Sequence, residues 1–362
     1  MNKTLMTVTL ASILPFSQAN ATEVQEEMCS IFEKYYALSE RKQVDWQTDC
    51  YNKDVGRNNV QIFEHVFTPL MEDVLKDGHT SIDYRDQFAT YEPNLSEYAN
   101  KVLTKVTPSL ISYKIEPRHN RYLAYGILKQ DPSIGYINSF NFEPEGELEE
   151  DYDLFVDLVD QALHDLKDKK AIVIDVRLNL GGQIPLAHYL AGQFIKQDSV
   201  HVARYRVRNE DGQLTDWLSE EFMGYKDRRA DGGYVAGVLP EDGYFHRATD
   251  HPYTKPVVVL TSEMTASSGE FFTAAMNTLP NVTILGSTTF GIFAGSDILT
   301  LRSNPDFRVR LSVHDVEIQQ DGQFISLEGK GITPDVRHEL SPVDAEKGFD
   351  SQLAKAIKLL NQ

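Results

Sequence analysis

The sequence predicts an α/β fold with a small helical part ahead of it, on three observations. Residues 171–176 and 256–261 are apolar runs of strand length, each followed by a segment of helical periodicity, the alternation expected of a sheet covered by helices. Phe307, Val309, Leu311 and Val313 alternate with Arg308, Arg310, Ser312 and His314, the pattern of a half-buried strand. Ahead of both, Met28, Ile31, Phe32, Tyr35 and Tyr36, and then Phe63, Val66, Phe67, Leu70 and Leu75, recur at helical spacing.

Taken in order, the chain opens with Lys3, an apolar run from Leu5 to Phe16 and Ala19-Asn20-Ala21, the form of a secretory signal (residues 1–21) cleaved after Ala21. The run falls short of the ~20 apolar residues that a membrane-spanning helix needs, and a buried core helix is the alternative reading. No later segment is apolar enough to cross a membrane, so a periplasmic or secreted protein is expected. Cys29 and Cys50, the two cysteines of the chain, are expected to form a disulfide in that oxidising setting. Closing a loop of about 20 residues contributes roughly 3 kcal/mol on the chain-entropy estimate. Two thiols without nearby histidines do not make a tetrahedral site, so no metal is expected.

Residues 22–110 read as the helical N-terminal subdomain, with a mixed stretch from 84 onward, and residues 111–362 as the α/β domain. Within the latter, 112–115, 122–128 and 134–139 form a β-meander with turns at Arg118-His119-Asn120 and Asp131-Pro132. An amphipathic helix over 155–166 leads to the strand at 171–176, and a helix over 184–195 follows it. The second unit places a strand at 256–261, a helix at 267–276 and a further strand at 282–285. Between the two units, residues 204–254 are polar with interspersed aromatic residues, among them Trp217, Phe222, Tyr225 and Tyr234. That is long for a plain connection, and is either a solvated excursion or a substrate-binding lid.

The formal net charge of -19 argues against nucleic acid and anionic membranes as partners and is silent on catalysis. The turn Asp175-Val176-Arg177-Leu178-Asn179-Leu180-Gly181-Gly182 lacks the Gly-Lys-Ser/Thr ending of a phosphate loop and the G-x-G-x-x-G of a dinucleotide site, and no cofactor is expected. In Thr265-Ala266-Ser267-Ser268-Gly269-Glu270, Ser267 follows a buried strand and opens a helix, whose free amides and partial positive charge suit an oxyanion. The same residues are also ordinary helix-capping types.

Four blocks in order resemble the S41 family of serine peptidases, which includes the C-terminal processing proteases and the tricorn core protease. They are Leu75-Lys76-Asp77-Gly78-His79-Thr80; Gly135-Tyr136-Ile137 with Phe140; Asp175 to Gly182; and the Ser267 segment followed by Gly286, Thr289, Gly291 and Gly331-Ile332 with Pro334-Asp335. The resemblance, over roughly residues 60–337, implies the crotonase/ClpP-like ββα core of that family. It implies that Ser267, three residues before Glu270, is the nucleophile in preference to Ser268. The processing proteases use a lysine after the glycine matched here by Gly286, but the corresponding position is Ile292. The chain therefore looks like the histidine-dependent branch, with His79 as base and Glu328, just before Gly329, as the orienting carboxylate. Backbone N–H groups of Ser268 and of Gly181 or Gly182 would form the oxyanion hole. Among the ten histidines, His246, His251 and His314 are rival positions for the base. Glu270 reads as a structural helix residue. The interval between His79 and the first β segment is too short for the PDZ domain of the processing proteases. The expected activity is hydrolysis of peptides or unfolded proteins through a Ser/His/Glu triad. An esterase on the same site and a non-catalytic binder of apolar ligands are the alternatives.

Overall fold

The computed structural model describes residues 21–53, 58–143, 148–209, 211–217 and 243–362. Residues 1–20 of the expected signal, and residues 210 and 218–242 of the long insertion, lie outside them.

The N-terminal part begins with the helix Ala21–Tyr35, whose Val24, Met28 and Phe32 are buried on one face. A disulfide joins Cys29 to Cys50 with the Cα atoms 5.7 Å apart. Further helical turns from 59 to 75 bury Phe67, Leu70 and Leu75. This part is not helical throughout: β1 (Ser81–Tyr84) and β2 (Gln87–Thr90) form a hairpin. Its partner in the sheet is far away in sequence, which is why local periodicity does not reveal it. Ser81 lies opposite Arg310 and Tyr84 opposite Phe307. Residues 22–110 therefore share a core with the C-terminal half: Phe67, Ile82 and Tyr84 pack in one cluster with Phe307, Val309 and Leu311.

The α/β domain runs through β3 (Ile111–Ile115), β4 (Leu123–Leu128), β5 (Ile134–Ser139), the helix Leu148–Leu166 and β6 (Ala171–Asp175). The helix Ile184–Gly192, β7 (Ser199–His201), β8 (Ala203–Val207) and β9 (Tyr244–His246) follow. Then come β10 (Val257–Thr261), the helix Ser268–Asn277, β11 (Val282–Gly286), β12 (Ser296–Thr300), β13 (Phe307–Ser312), β14 (His314–Gln320), β15 (Gln323–Ile325) and β16 (Val336–Arg337). The main sheet has seven strands in the order β16-β11-β10-β6-β5-β4-β3, parallel from β16 to β5 and antiparallel beyond. Every residue of β6 and β10 is buried, as expected of central parallel strands covered on both faces. A four-stranded sheet, β12-β13-β1-β2, unites the N-terminal hairpin with the chain that follows β11. A smaller sheet pairs β8 with β14 and β15.

Register fixes where the site forms. Leu260 lies opposite Asp175, and Thr261 opposite Gly286, so the turns after β6, β10 and β11 leave the sheet side by side at its carboxyl edge. That edge is where open α/β sheets bind ligands.

Candidate active site

The turn after β6 is held by two buried side chains. The Arg177 guanidinium is fully buried and paired with Asp175 at 2.6 Å and Asp350 at 2.9 Å, so its desolvation is offset by two carboxylates. Asn179 donates from its amide to the Ser139 carbonyl at 3.1 Å and accepts the Gly181 N–H at 2.8 Å. Its own carbonyl accepts the Ala266 N–H at 3.0 Å, which ties this turn to the one carrying Ser267.

Ser267 occupies a strained backbone position, φ 52° and ψ −124°, at the N-cap of the helix Ser268–Asn277. A non-glycine residue there costs ~1–3 kcal/mol, and such outliers gather at functional sites. The strain is held by Glu270, buried one turn on. One of its oxygens accepts the N–H groups of Ser267 at 3.1 Å and Ile292 at 2.8 Å. The other accepts the Gly291 N–H at 2.8 Å and the Thr289 hydroxyl at 2.5 Å. Burial pushes the Glu270 carboxyl up to about 7 against these four donors. Because every partner donates, the carboxylate form is the one the contacts fit.

His79 lies just ahead of β1, and its Nε2 is 2.9 Å from Ser267 Oγ. Two residues 188 positions apart are thus in hydrogen-bond contact because the N-terminal hairpin is built into the β12–β13 sheet. Burial lowers the imidazole to about 4, opposed by the negative charge of Asp77, so the ring is neutral at pH 7 and able to take a proton. Asp77 is buried and accepts the His79 backbone N–H at 2.9 Å and the Thr80 hydroxyl at 2.7 Å.

Glu328 does not hydrogen-bond the imidazole. Its Oε2 accepts the Phe293 N–H at 2.9 Å, while its Oε1 and His79 Nδ1 are both buried without a hydrogen-bond partner among the described residues. The backbone of Ala294, next to Phe293, favours the protonated ring, but no contact to Nδ1 reaches hydrogen-bond geometry. Burial, and then the charge of Asp77, push the Glu328 carboxyl up to about 8. The expected hydrogen bond from the imidazole to Glu328 is therefore not made in this structure.

The oxyanion expectation narrows. The Gly181 N–H is committed to Asn179, whereas the N–H groups of Ser268 and Gly182 make no hydrogen bond among the described residues. Both glycines are required by crowding. A Cβ on Gly181 would lie 2.6 Å from Ser267 Cβ, and one on Gly182 would lie 2.1 Å from the Phe142 carbonyl carbon, at φ 99° and 128° respectively. Ser267, His79, Gly182, Gln183, Ser296 and Arg310 line both lobes of a cleft, of ≈340 Å³ and ≈740 Å³, and form its waist.

The family model for peptidase family S41 matches residues 133–338, more than half of the chain. The chain belongs to peptidase family S41. A carboxy-terminal-processing protease of Bartonella bacilliformis is 24% identical over 229 residues, 62% of this chain and 43% of that protein. The tricorn protease of Thermoplasma volcanium is 29% identical over 142 residues, 36% of this chain and 14% of that protein. The matched segments are thus less than half the length of these two relatives. A solved structure of a Parabacteroides merdae protein described as a peptidase superposes with a TM-score of 0.67 at 22% identity, covering 94% of this chain and 96% of that one. At that identity the likeness is one of fold, and the mixed α/β architecture is that of the family.

In this S41 member Ile292 is buried, and it joins the site through its backbone N–H on Glu270 and through the wall of the larger lobe. Of the rival histidines, His314 lines the smaller lobe, while His246 packs on His188 and His251 lines a separate surface depression. Sequence reasoning missed the parts played by Asp77, Asn179 and Glu270. Asp77 stands two residues before His79 in the same block, and Asn179 two before Gly181, so the motif spacing held both signals.

Proposed function

We propose that this S41 member is a serine peptidase that hydrolyses peptide bonds in peptides or unfolded proteins through an acyl-enzyme on Ser267. The observation that carries the reading is the 2.9 Å contact of His79 Nε2 with the hydroxyl of a strained Ser267 at a helix N-terminus. Ser267 Oγ attacks the scissile carbonyl carbon as its proton passes to His79 Nε2. The Ser268 and Gly182 N–H groups receive the oxyanion, aided by the helix dipole. Collapse breaks the C–N bond, and His79 returns the proton to the leaving amine. A water then repeats the sequence on the ester, releasing the acid and restoring Ser267.

The third role in the triad is divided. Asp77 supplies the negative charge that favours the imidazolium, and Glu328 accepts the Phe293 N–H, next to the Ala294 backbone that faces the ring. Export to the periplasm or beyond belongs to the same reading, supported by the Ala19-Asn20-Ala21 ending and the Cys29–Cys50 disulfide.

The test is turnover of unfolded protein and of a peptide library by the mature protein, with Ser267→Ala as control. Cleavage abolished by that substitution is the expected result. Ester turnover without cleavage of any peptide would replace the peptidase by an acyl hydrolase.

A further inference from the structure

The smaller lobe of the cleft is built for one kind of side chain. Ile184, Tyr205, Phe245, Phe271, Phe293 and Val316 line it, and Phe245, Phe271, Phe293 and Val316 are buried. Its walls come from β8, β9, β14 and the helix that starts at Ser267, so Phe271 lies one turn beyond the nucleophile on the same helix. Among the described residues, the polar groups on its lining are His79, Gln183 and Ser267, the Tyr205 hydroxyl, Ser296 and Arg310, which hydrogen-bond each other at 2.7 Å, and His314. Burial holds His314 below its ordinary value, so it presents a neutral ring. Among the described residues no carboxylate lines the lobe, and Arg310 donates its Nε–H to Ser296.

We infer that this lobe selects the substrate: the bonds cleaved at Ser267 carry a large apolar side chain, above all an aromatic one, at one of the two positions flanking the scissile bond. The inference rests on the peptidase reading above. Its size argues for a ring. The lobe holds ≈340 Å³, whereas an apolar cavity of about 150 Å³ already accepts benzene. Alanine or valine would leave most of the lining in contact with water. A lysine would lose its hydration against phenylalanine rings without gaining a carboxylate partner among the described residues. Burying a phenylalanine side chain in place of alanine corresponds to roughly 10- to 100-fold in kcat/KM.

The experiment maps, by mass spectrometry, every bond cleaved in an unfolded protein by the full mature chain, and repeats the map with Ala203→Leu and Val316→Phe, two substitutions that fill the lobe. In the wild type, Phe, Tyr, Trp, Leu and Met should be enriched at least tenfold on one side of the cleaved bonds. Either folded variant should shift that position toward alanine and valine. Cleavage without enrichment, or enrichment unchanged in a folded variant, overturns the inference and leaves the peptidase reading standing. No cleavage by the wild type overturns both.

Discussion

Asp77 grips His79 by its main chain and not by its ring: the Asp77 carboxylate accepts the His79 backbone N–H at 2.9 Å, and its charge opposes the desolvation that keeps the imidazole neutral. The Thr80 hydroxyl, its other partner, also lies 3.2 Å from the Ser312 N–H and so ties the base to β13. One carboxylate thereby places the base and favours its protonated form.

Asp77→Asn keeps one acceptor oxygen for the His79 N–H, removes the charge, and sets an amide N–H₂ against the Thr80 hydroxyl, which can turn to accept it. Without that charge the imidazolium is less stable, so kcat should fall about 10- to 100-fold with little change in KM. The acid limb of the kcat profile should move to lower pH, because the depressed His79 is depressed further. A pH profile of kcat for both proteins checks this. A purely structural Asp77 would lower activity equally at every pH.

Glu328→Gln should do the opposite of what a charged triad member does. The folded carboxyl is held up at about 8, above its ordinary 4.5. Its contribution to stability is therefore full below about 4.5 and lost as pH rises through about 8. Glutamine mimics the neutral form, so at pH 7 activity should stay within about threefold of wild type. In urea titrations from pH 5 to 9 the wild type should lose stability relative to the variant as pH rises. A hundredfold loss of activity at pH 7 would make Glu328 the charged partner after all.

Glu270→Gln sets an amide N–H₂ against donors. Both oxygens of Glu270 accept, from four donor groups, so the substitution leaves at least one buried N–H facing another. A loss of about 2–4 kcal/mol is expected. Peptide hydrolysis should be abolished, because the Ser267 turn loses its anchor. Urea unfolding and turnover measure the two effects separately.

How much of this was legible in the sequence follows from the range of each interaction. β6 and β10 show as apolar runs because burial on both faces leaves no polar position in them before the closing Asp175 and Thr261. The turns after them, with Ser267 and Gly182, carry their meaning in types and spacing, so the site's nucleophile side is local. The base side is not. His79 meets Ser267 only because Ser81–Tyr84 pairs with Phe307–Ser312, a pairing that no window of either segment contains. Glu328 shows the limit most clearly: an abundant residue type at a plausible position says nothing about burial, and burial is what pushes its carboxyl up.

Strain at Ser267 gives a stability test independent of catalysis. The residue sits at φ 52°, ψ −124°, which glycine adopts without penalty. Ser267→Gly should raise stability by about 1 kcal/mol in urea while abolishing turnover. A destabilised glycine variant would mean that the serine side chain, not the backbone, is what the turn requires.

The account stands or falls on whether Ser267 is nucleophilic because of His79. The direct measurement is the rate of fluorophosphonate labelling at pH 7 for the wild type, Ser267→Ala and His79→Ala, with the modified residue located by mass spectrometry. The structure predicts one adduct on Ser267, none in Ser267→Ala, and labelling at least about a hundredfold slower in His79→Ala. Labelling of His79→Ala at the wild-type rate, or an adduct on Ser268, would contradict it.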